Sequence, residues 1–417
     1  MVYSPSRKYI FVPGLETTKK LEYFRVLFIL LGKIGMNKNL GLMITVTSVK
    51  SKKDLKRFIH LPFSIHKDHK EWLPPLISDE WKVFDKTQNH SFDTCETVLL
   101  LAERAGQVVG RIMGIINPLY NKSHGEKAGR FCFVECYDDA EVFDALIQAV
   151  ENWAKEKGME KLVGPLGFSD KDPQGFLIEG FEDPMTVMVT NCSLPYMIDH
   201  TERNGYGKKL DLVQYRIETP EIIPEVYKRV AERVQNRGFD LVALEKSKEM
   251  RPYIQPVFDL INETYTDIYG FAPLTEIESK EFSERFLPLL NPKYIQLVKD
   301  KEGQLSAFMV AMPNISKGFK KANGRLFPFG FIHILRSLKT ARQLDLLLGC
   351  VKTKYQNSGL DALMAVSQLE AARKGNLDIM DSHVVMEENT KMRAIYERLG
   401  GNIYKRYRIF EKKLLGM

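Results

Sequence analysis

Residues 344–400 read LDLLLGCVKTKYQNSGLDALMAVSQLEAARKGNLDIMDSHVVMEENTKMRAIYERLG. An apolar run ends at Val351, and a polar turn containing Gln356 and Gly359 follows. Apolar residues then recur at helical spacing at Leu360, Leu363, Val366 and Leu369, so the order is strand, turn, helix. A helix that opens on a Gly-containing turn presents unpaired N–H groups and the positive end of its dipole. Together these suit a phosphate or pyrophosphate. A second strand over 377–385, a polar turn at Glu387, Glu388 and Asn389, and a second helix ending at Gly400 complete the stretch.

This order resembles the acyl-CoA-binding half of the Gcn5-related N-acetyltransferase (GNAT) fold. Val351–Asp361 (VKTKYQNSGLD) is similar to that family's strand followed by Gln/Arg-x-x-Gly-x-Gly/Ala, whose amides hold the CoA pyrophosphate. The resemblance implies cofactor contacts at Gly349, Cys350, Val351, Gln356, Asn357, Ser358, Gly359 and Leu360. Asn389, with Tyr396 and Gly400 after it, resembles the later motif in which an Asn meets the pantetheine arm and a Tyr protonates the leaving thiolate. Asp361 departs from the pattern, where Gly or Ala is usual. A carboxylate there opposes a pyrophosphate unless it points away.

Composition bounds the rest. The chain has 417 residues, 44% hydrophobic and 27% charged, which suits two or three globular domains. Five scattered cysteines without metal-ligand spacing fit a reducing cytoplasm. The net charge of +7 favours anionic partners, while no recognition-helix, zinc-finger or stacking-sheet signature points to nucleic acid. His66 and His69 lie in HKDHKEWLPP without further ligands, so no metal is expected. The apolar run Phe24–Ile34 falls short of the ~20 residues that span a bilayer. Residues 1–42 read as an extension or an over-called start.

Three segments recur in the same order. Gly106–Ile115 (GQVVGRIMGI) matches Gly303–Met312 (GQLSAFMVAM), and Ala145–Gly158 parallels Ala362–Gly375. Glu202–Gly205 through Glu218 parallels Glu397–Gly400 through Glu411. A common displacement of roughly two hundred residues implies tandem duplication. The expected fold class is therefore α/β (α+β), with two GNAT-like domains, each a mostly antiparallel mixed sheet flanked by helices. They are placed at 43–218 and 239–417, joined by a helical connection over 219–238. The halves differ chemically. After the strand Arg130–Tyr137 come Asp138, Asp139 and Glu141, with no glycine, and acids at a helix start act as caps and repel a pyrophosphate. The first domain also carries a long loop, Gly164–Pro184, rich in Gly, Pro and acids, which either lines an acceptor site or is a structural connection.

GPLGFS and EGFEDP in the first half, with EEN and YKRYRIFEK in the second, make the chain similar to a bacterial family that includes the ceramide synthases. That resemblance implies acyl transfer from acyl-CoA to the amine of a sphingoid base, without a metal. Tandem GNAT-like halves also occur in Fem-type aminoacyl transferases and protein N-myristoyltransferases, and a non-catalytic acyl-CoA or lipid sensor is a further alternative. Residues 313–343 interleave Phe327, Phe329 and Phe331 with Lys317, Lys320, Lys321 and Arg325. Such a segment suits contact with an anionic membrane surface or the roof of an acyl channel. For the chemistry, His383, Glu387 or Glu388 could take the amine proton. A backbone N–H near Gly349–Val351 could polarise the thioester, and Tyr396 could protonate the thiolate.

Overall fold

The structure, a computed structural model, describes residues 43–183 and 192–414. The N-terminal extension and Pro184, the last residue of the long loop, lie outside the described residues. In the first half, β1 (Ile44–Ser48), β2 (Glu96–Arg104), β3 (Gln107–Ile116) and β4 (Ala128–Cys136) pair antiparallel in that order. Helix α1 (Lys52–Ile65) follows β1, with Ser51 capping it by accepting the Asp54 N–H at 3.1 Å. Helix α2 (Ile77–Val83) and α3 (Pro118–His124) are short connections. From β4 the chain crosses through α4 (Ala140–Glu156) to β5 (Lys161–Gly164), which joins β4 in parallel. The α4 residues Val142, Phe143, Leu146 and Val150 are fully buried against the sheet. Then come β6 (Phe176–Glu179), α5 (Tyr196–Arg203) and β7 (Gly207–Glu218).

A linking helix, α6 (Glu225–Asn236), opens the second half, which repeats the plan. β8 (Asp240–Leu241), β9 (Ile295–Lys299), β10 (Leu305–Pro313) and β11 (Gln343–Val351) are antiparallel. Helices α7 (Ile254–Thr264) and α8 (Glu276–Phe286) lie between β8 and β9 in sequence. The 313–343 segment forms α9 (Ser316–Ala322) and α10 (Gly330–Thr340). After β11, α11 (Leu360–Lys374) crosses to β12 (Ile379–Ser382), again parallel to its predecessor. A short β13 (Val385–Met386), α12 (Thr390–Arg398) and β14 (Asn402–Lys413) finish the chain.

The last strands are exchanged. β14 lies beside β5 of the first half, β7 lies beside β12 of the second, and β7 and β14 pair with each other. One 14-stranded sheet results. Tyr407 and Ile409 of β14 therefore pack with Val163 and Leu177, whereas Val213, Tyr215 and Ile217 of β7 join Leu344 and Leu346. Each half's core is completed by the other half's final strand. Around β9–β11, α7 covers one face through Phe258 and Ile261. The opposite face holds α11, which α6 in turn covers through Ala231 and Val234. Being enclosed on two sides, α11 buries Ala362, Met364 and Gln368 as well as Leu360, Leu363 and Leu369 of the expected apolar positions, while Val366 is half-buried.

Candidate active site

β11 and β12 stay paired only from Gln343–Ile379 to Leu346–Ser382, with one further bond from the His383 N–H to the Leu346 carbonyl at 2.9 Å. Beyond that point β13 turns to pair with β7. On the side away from β10, the edge of β11 from Leu347 to Val351 has no strand beside it among the described residues, next to a bulge where the β10 register shifts between Val310 and Ala311. Into this wedge reaches Tyr265, the C-cap of α7. Its hydroxyl accepts the Gly349 N–H at 3.3 Å and donates to the Gly349 carbonyl at 3.2 Å. The Gly349 amide at this edge is thus engaged by the Tyr265 hydroxyl.

The turn from Lys352 to Gly359 delivers the chain to α11. Ser358 Oγ donates to the Tyr355 carbonyl at 2.6 Å, and Gly359 sits at φ +94 as the N-cap, with no side chain capping the helix. Among the described residues the first amides of α11 thus lack an intrahelical or side-chain partner. In the first half, the equivalent terminus is closed by its own acids. Asp139 accepts from the Val142 N–H and is paired with Arg104, which also holds Glu141 at 2.9 Å. The two helix starts thus differ in how they are capped.

Open to this turn is a cavity of about 820 Å³. Gly349, Cys350, Val351, Gln356, Asn357 and Asn389 of the expected contacts line it, and so does Asp361. Ser358, Gly359 and Leu360 do not. A Cβ on Gly359 would lie 2.8 Å from Val230, and Leu360 is buried against α6, so these positions serve the seat of the helix. Lys391 and Arg398 of α12 also line the cavity.

The catalytic candidates separate. His383 lines the cavity, where burial lowers its pKa, against a backbone hydrogen bond at Val384 and the charge of Asp170. Its imidazole is thus held neutral near neutral pH, as a base requires. Tyr396 lines the same space, its ring 5.4 Å from Tyr215. Its hydroxyl has no hydrogen-bond partner among the described residues, and burial raises its pKa. Glu387 is corrected: it is absent from the cavity wall, salt-bridged to Lys208 at 2.8 Å and to Arg406. The Lys208 hydrogen bond holds its carboxyl below the usual range, which makes a poor proton acceptor. Glu388, by contrast, reaches the cavity. Asn389 lines it while capping α12, accepting the Met392 N–H at 3.1 Å.

Other residues enter that were not singled out one by one in the sequence. Asp170, Lys171 and Gln174 of the first-half loop form part of the wall. Lys171 Nζ donates to the Ala272 carbonyl at 2.9 Å and lies 4.8 Å from the Phe271 ring, docking the loop on the second half. Asp345 is 2% exposed and accepts from Asn314 and Gln343, each at 2.8 Å. No cationic side chain pairs with it among the described residues. Burial, and next the charge of Asp381, push its carboxyl well above the usual range. No residue of 313–343 lines this space, although its neighbours Met312 and Asp345 do. The channel-roof expectation is thereby corrected. The inner face of α9 and α10 packs through Phe319 and Ile334 on Leu73, Leu76 and Met312, while Phe327 and Phe329 remain 73% and 67% exposed.

Comparison with solved structures defines the class. A tandem GNAT protein from the clavulanic acid biosynthesis pathway superposes with a TM-score of 0.51 at 11% identity, covering 90% of this chain and 100% of that one. A GCN5-related glucosamine N-acetyltransferase region of a fungal multi-domain β-N-acetylglucosaminidase gives 0.50 at 10% identity, over 89% of this chain and 38% of that one. The fold is a tandem GNAT fold. No protein-family model matches the chain. Among curated proteins, Protein YghO of Escherichia coli (strain K12) is 30% identical over 384 residues, 88% of this chain and 95% of its own. The bacterial ceramide synthase of Caulobacter vibrioides (strain NA1000 / CB15N) is 29% identical over 378 residues, 89% of this chain and 98% of its own. The chain belongs to the family of these two proteins, a family of GNAT-fold acyltransferases.

Proposed function

We propose that the chain is an acyl-CoA-dependent N-acyltransferase whose chemistry resides in the second of two units, 239–417, with the first unit, 43–218, contributing the Asp170 loop and residues 219–238 linking them. The observation that carries this reading is one cavity bordered by the uncapped start of α11, the open edge of β11 and a neutral His383. The residues fit a CoA thioester. Lys391, Arg398 and the first amides of α11 suit its phosphates, and the Gly349–Val351 edge suits its pantetheine arm, while Asp361 has to turn aside.

In this proposal, His383 takes a proton from the bound ammonium, and Asp170 steadies the charged imidazole. The freed amine forms the C–N bond at the thioester carbonyl, the C–S bond breaks, and Tyr396 gives its proton to the departing sulfur. The nitrogen gives up its second proton as the amide forms, which restores the Tyr396 hydroxyl, and the proton on His383 returns to solvent, so free thiol and an amide are the products. Tyr265 positions the Gly349 amide at the same wedge. The apolar wall and the ceramide synthase relative support a long-chain amine, such as a sphingoid base, as acceptor. The exposed aromatics between α9 and α10 and at the start of α10, with Lys317, Lys321 and Arg325 nearby in sequence, support peripheral contact with an anionic lipid surface. Among the described residues no helix is long and apolar enough to cross a membrane. Asp361 favours a second reading, a non-catalytic acyl-CoA or lipid sensor.

The test is purified protein with acyl-CoAs of graded length and a panel of amines, following thiol release together with N-acyl product by mass spectrometry. Amine-dependent thiol release with a matching amide is expected. Acyl-CoA binding without turnover on any amine would favour the sensor.

A further inference from the structure

α7 runs obliquely over the sheet. Its C-terminal end meets β11, where Tyr265 bonds Gly349, and the segment leading into its N-terminal end meets β9, where Lys299 Nζ lies 5.0 Å from the Tyr253 ring. The cavity follows it the whole way, since Tyr265, Val257, Ile254 and Met250 all line the same space. At 1.5 Å per residue, Val257 lies about 12 Å along the helix from Tyr265 and Ile254 about 16 Å. The floor beneath is apolar at every strand crossed, with Leu348, Val310 and Ile295 in register on β11, β10 and β9. On the far side stands Phe282 of α8, its ring 5.8 Å from Phe258 and 4.6 Å from Phe286.

We infer that this channel between α7, α8 and the sheet holds the acyl chain, and that depth along α7 fixes the chain length accepted. The inference rests on the acyl-CoA reading. The occupant is assigned from continuity: the channel begins at the β11 edge where the thioester carbonyl is placed, so what enters it is the tail joined to that carbonyl. Each methylene moved from water to an apolar wall adds about fourfold in affinity, a transfer of ~0.8 kcal/mol.

Binding of acetyl-, octanoyl- and hexadecanoyl-CoA by calorimetry to wild type, Val257→Trp, Ile254→Trp and Phe282→Ala tests this without requiring turnover. Val257→Trp should cut the ratio of hexadecanoyl to acetyl affinity by about 60-fold, the worth of three methylenes. Ile254→Trp should cut it less, because it blocks deeper, and Phe282→Ala should shift preference to longer chains. Folding is checked by circular dichroism, and the enlarging variant keeps the test open if a Trp variant fails to fold. Wild-type length preference in all the folded variants, or a wild type that binds no acyl-CoA, overturns the inference. So does a changed affinity for a long-chain amine with acyl preference intact, which assigns the channel to the acceptor. Retained, graded acyl-CoA binding without amide formation would instead sink the catalytic reading alone.

Discussion

His383 and Tyr396 carry the proposed proton transfers, and both are distinguishable from packing residues. Replacing His383 with Gln should lower kcat by ~10²–10⁴-fold, the usual contribution of a positioned base. Because burial depresses its pKa, the neutral, reactive form persists below the ordinary histidine value of ~6.5. The acid limb of the kcat/KM profile should therefore lie below pH ~6.5 and vanish in the Gln variant. The same shift has a stability consequence. The unfolded chain takes up this proton first as pH falls, so stability drops between ~6.5 and the lower folded value. An acid limb that survives in the Gln variant assigns the base elsewhere, with Asp345 next in line. Tyr396→Phe should reduce kcat by ~10–100-fold with acyl-CoA affinity held, since water can partly replace a thiolate donor. Unchanged turnover would leave Tyr396 as a partner of Tyr215. His383, Tyr396 and Asn389 were legible because they lie close to one motif in sequence. Tyr265 and Asp345 were not, and the loop of Asp170 was read only as a choice between acceptor wall and structural connection, because only the crossing of α7, the loop and the sheet brings these residues to one place. Glu387 was misread because its cations, Lys208 and Arg406, come from the two exchanged strands.

Among the elements, the α9–α10 pair shows the same division between pattern and placement. Its alternation of aromatic and basic residues was plain in sequence, but which face would be buried depended on Leu73 and Leu76 from the other half. With the aromatic tip outside the cavity, Phe327, Phe329 and Phe331 changed together to Ser should leave the fold and detergent-phase turnover near wild type. Binding to anionic vesicles should fall sharply, and wild-type binding should weaken with added salt, since exposed charges are screened beyond ~8 Å at physiological ionic strength. Vesicle sedimentation of the triple variant at wild-type levels would remove the membrane-contact proposal. The strand-turn-helix around α11 was readable because its chemistry is local, needing a positive φ at Gly359 and an unpaired helix start. Its glycine has a second cause that sequence hid, the approach of Val230 from α6.

At the scale of the whole molecule, duplication was visible in three repeated segments, while the exchange of β7 and β14 was not, because nothing in a strand's own sequence names its partner. The exchange makes the halves interdependent. Residues 43–218 or 239–417 expressed alone would expose the seat of the missing strand and should not fold stably, and the full chain should unfold in one transition seen alike by far-UV circular dichroism and tyrosine fluorescence. Two separated transitions would show that the shared strands do not couple the halves. The most direct test of where the chemistry lies is a crystal structure with a non-hydrolysable thioether analogue of a long-chain acyl-CoA. Phosphates at the amides of 357–361 and a tail between α7, α8 and the sheet are expected. Phosphates at Asp138–Glu141 of the first half would contradict the assignment of the second half as the catalytic unit.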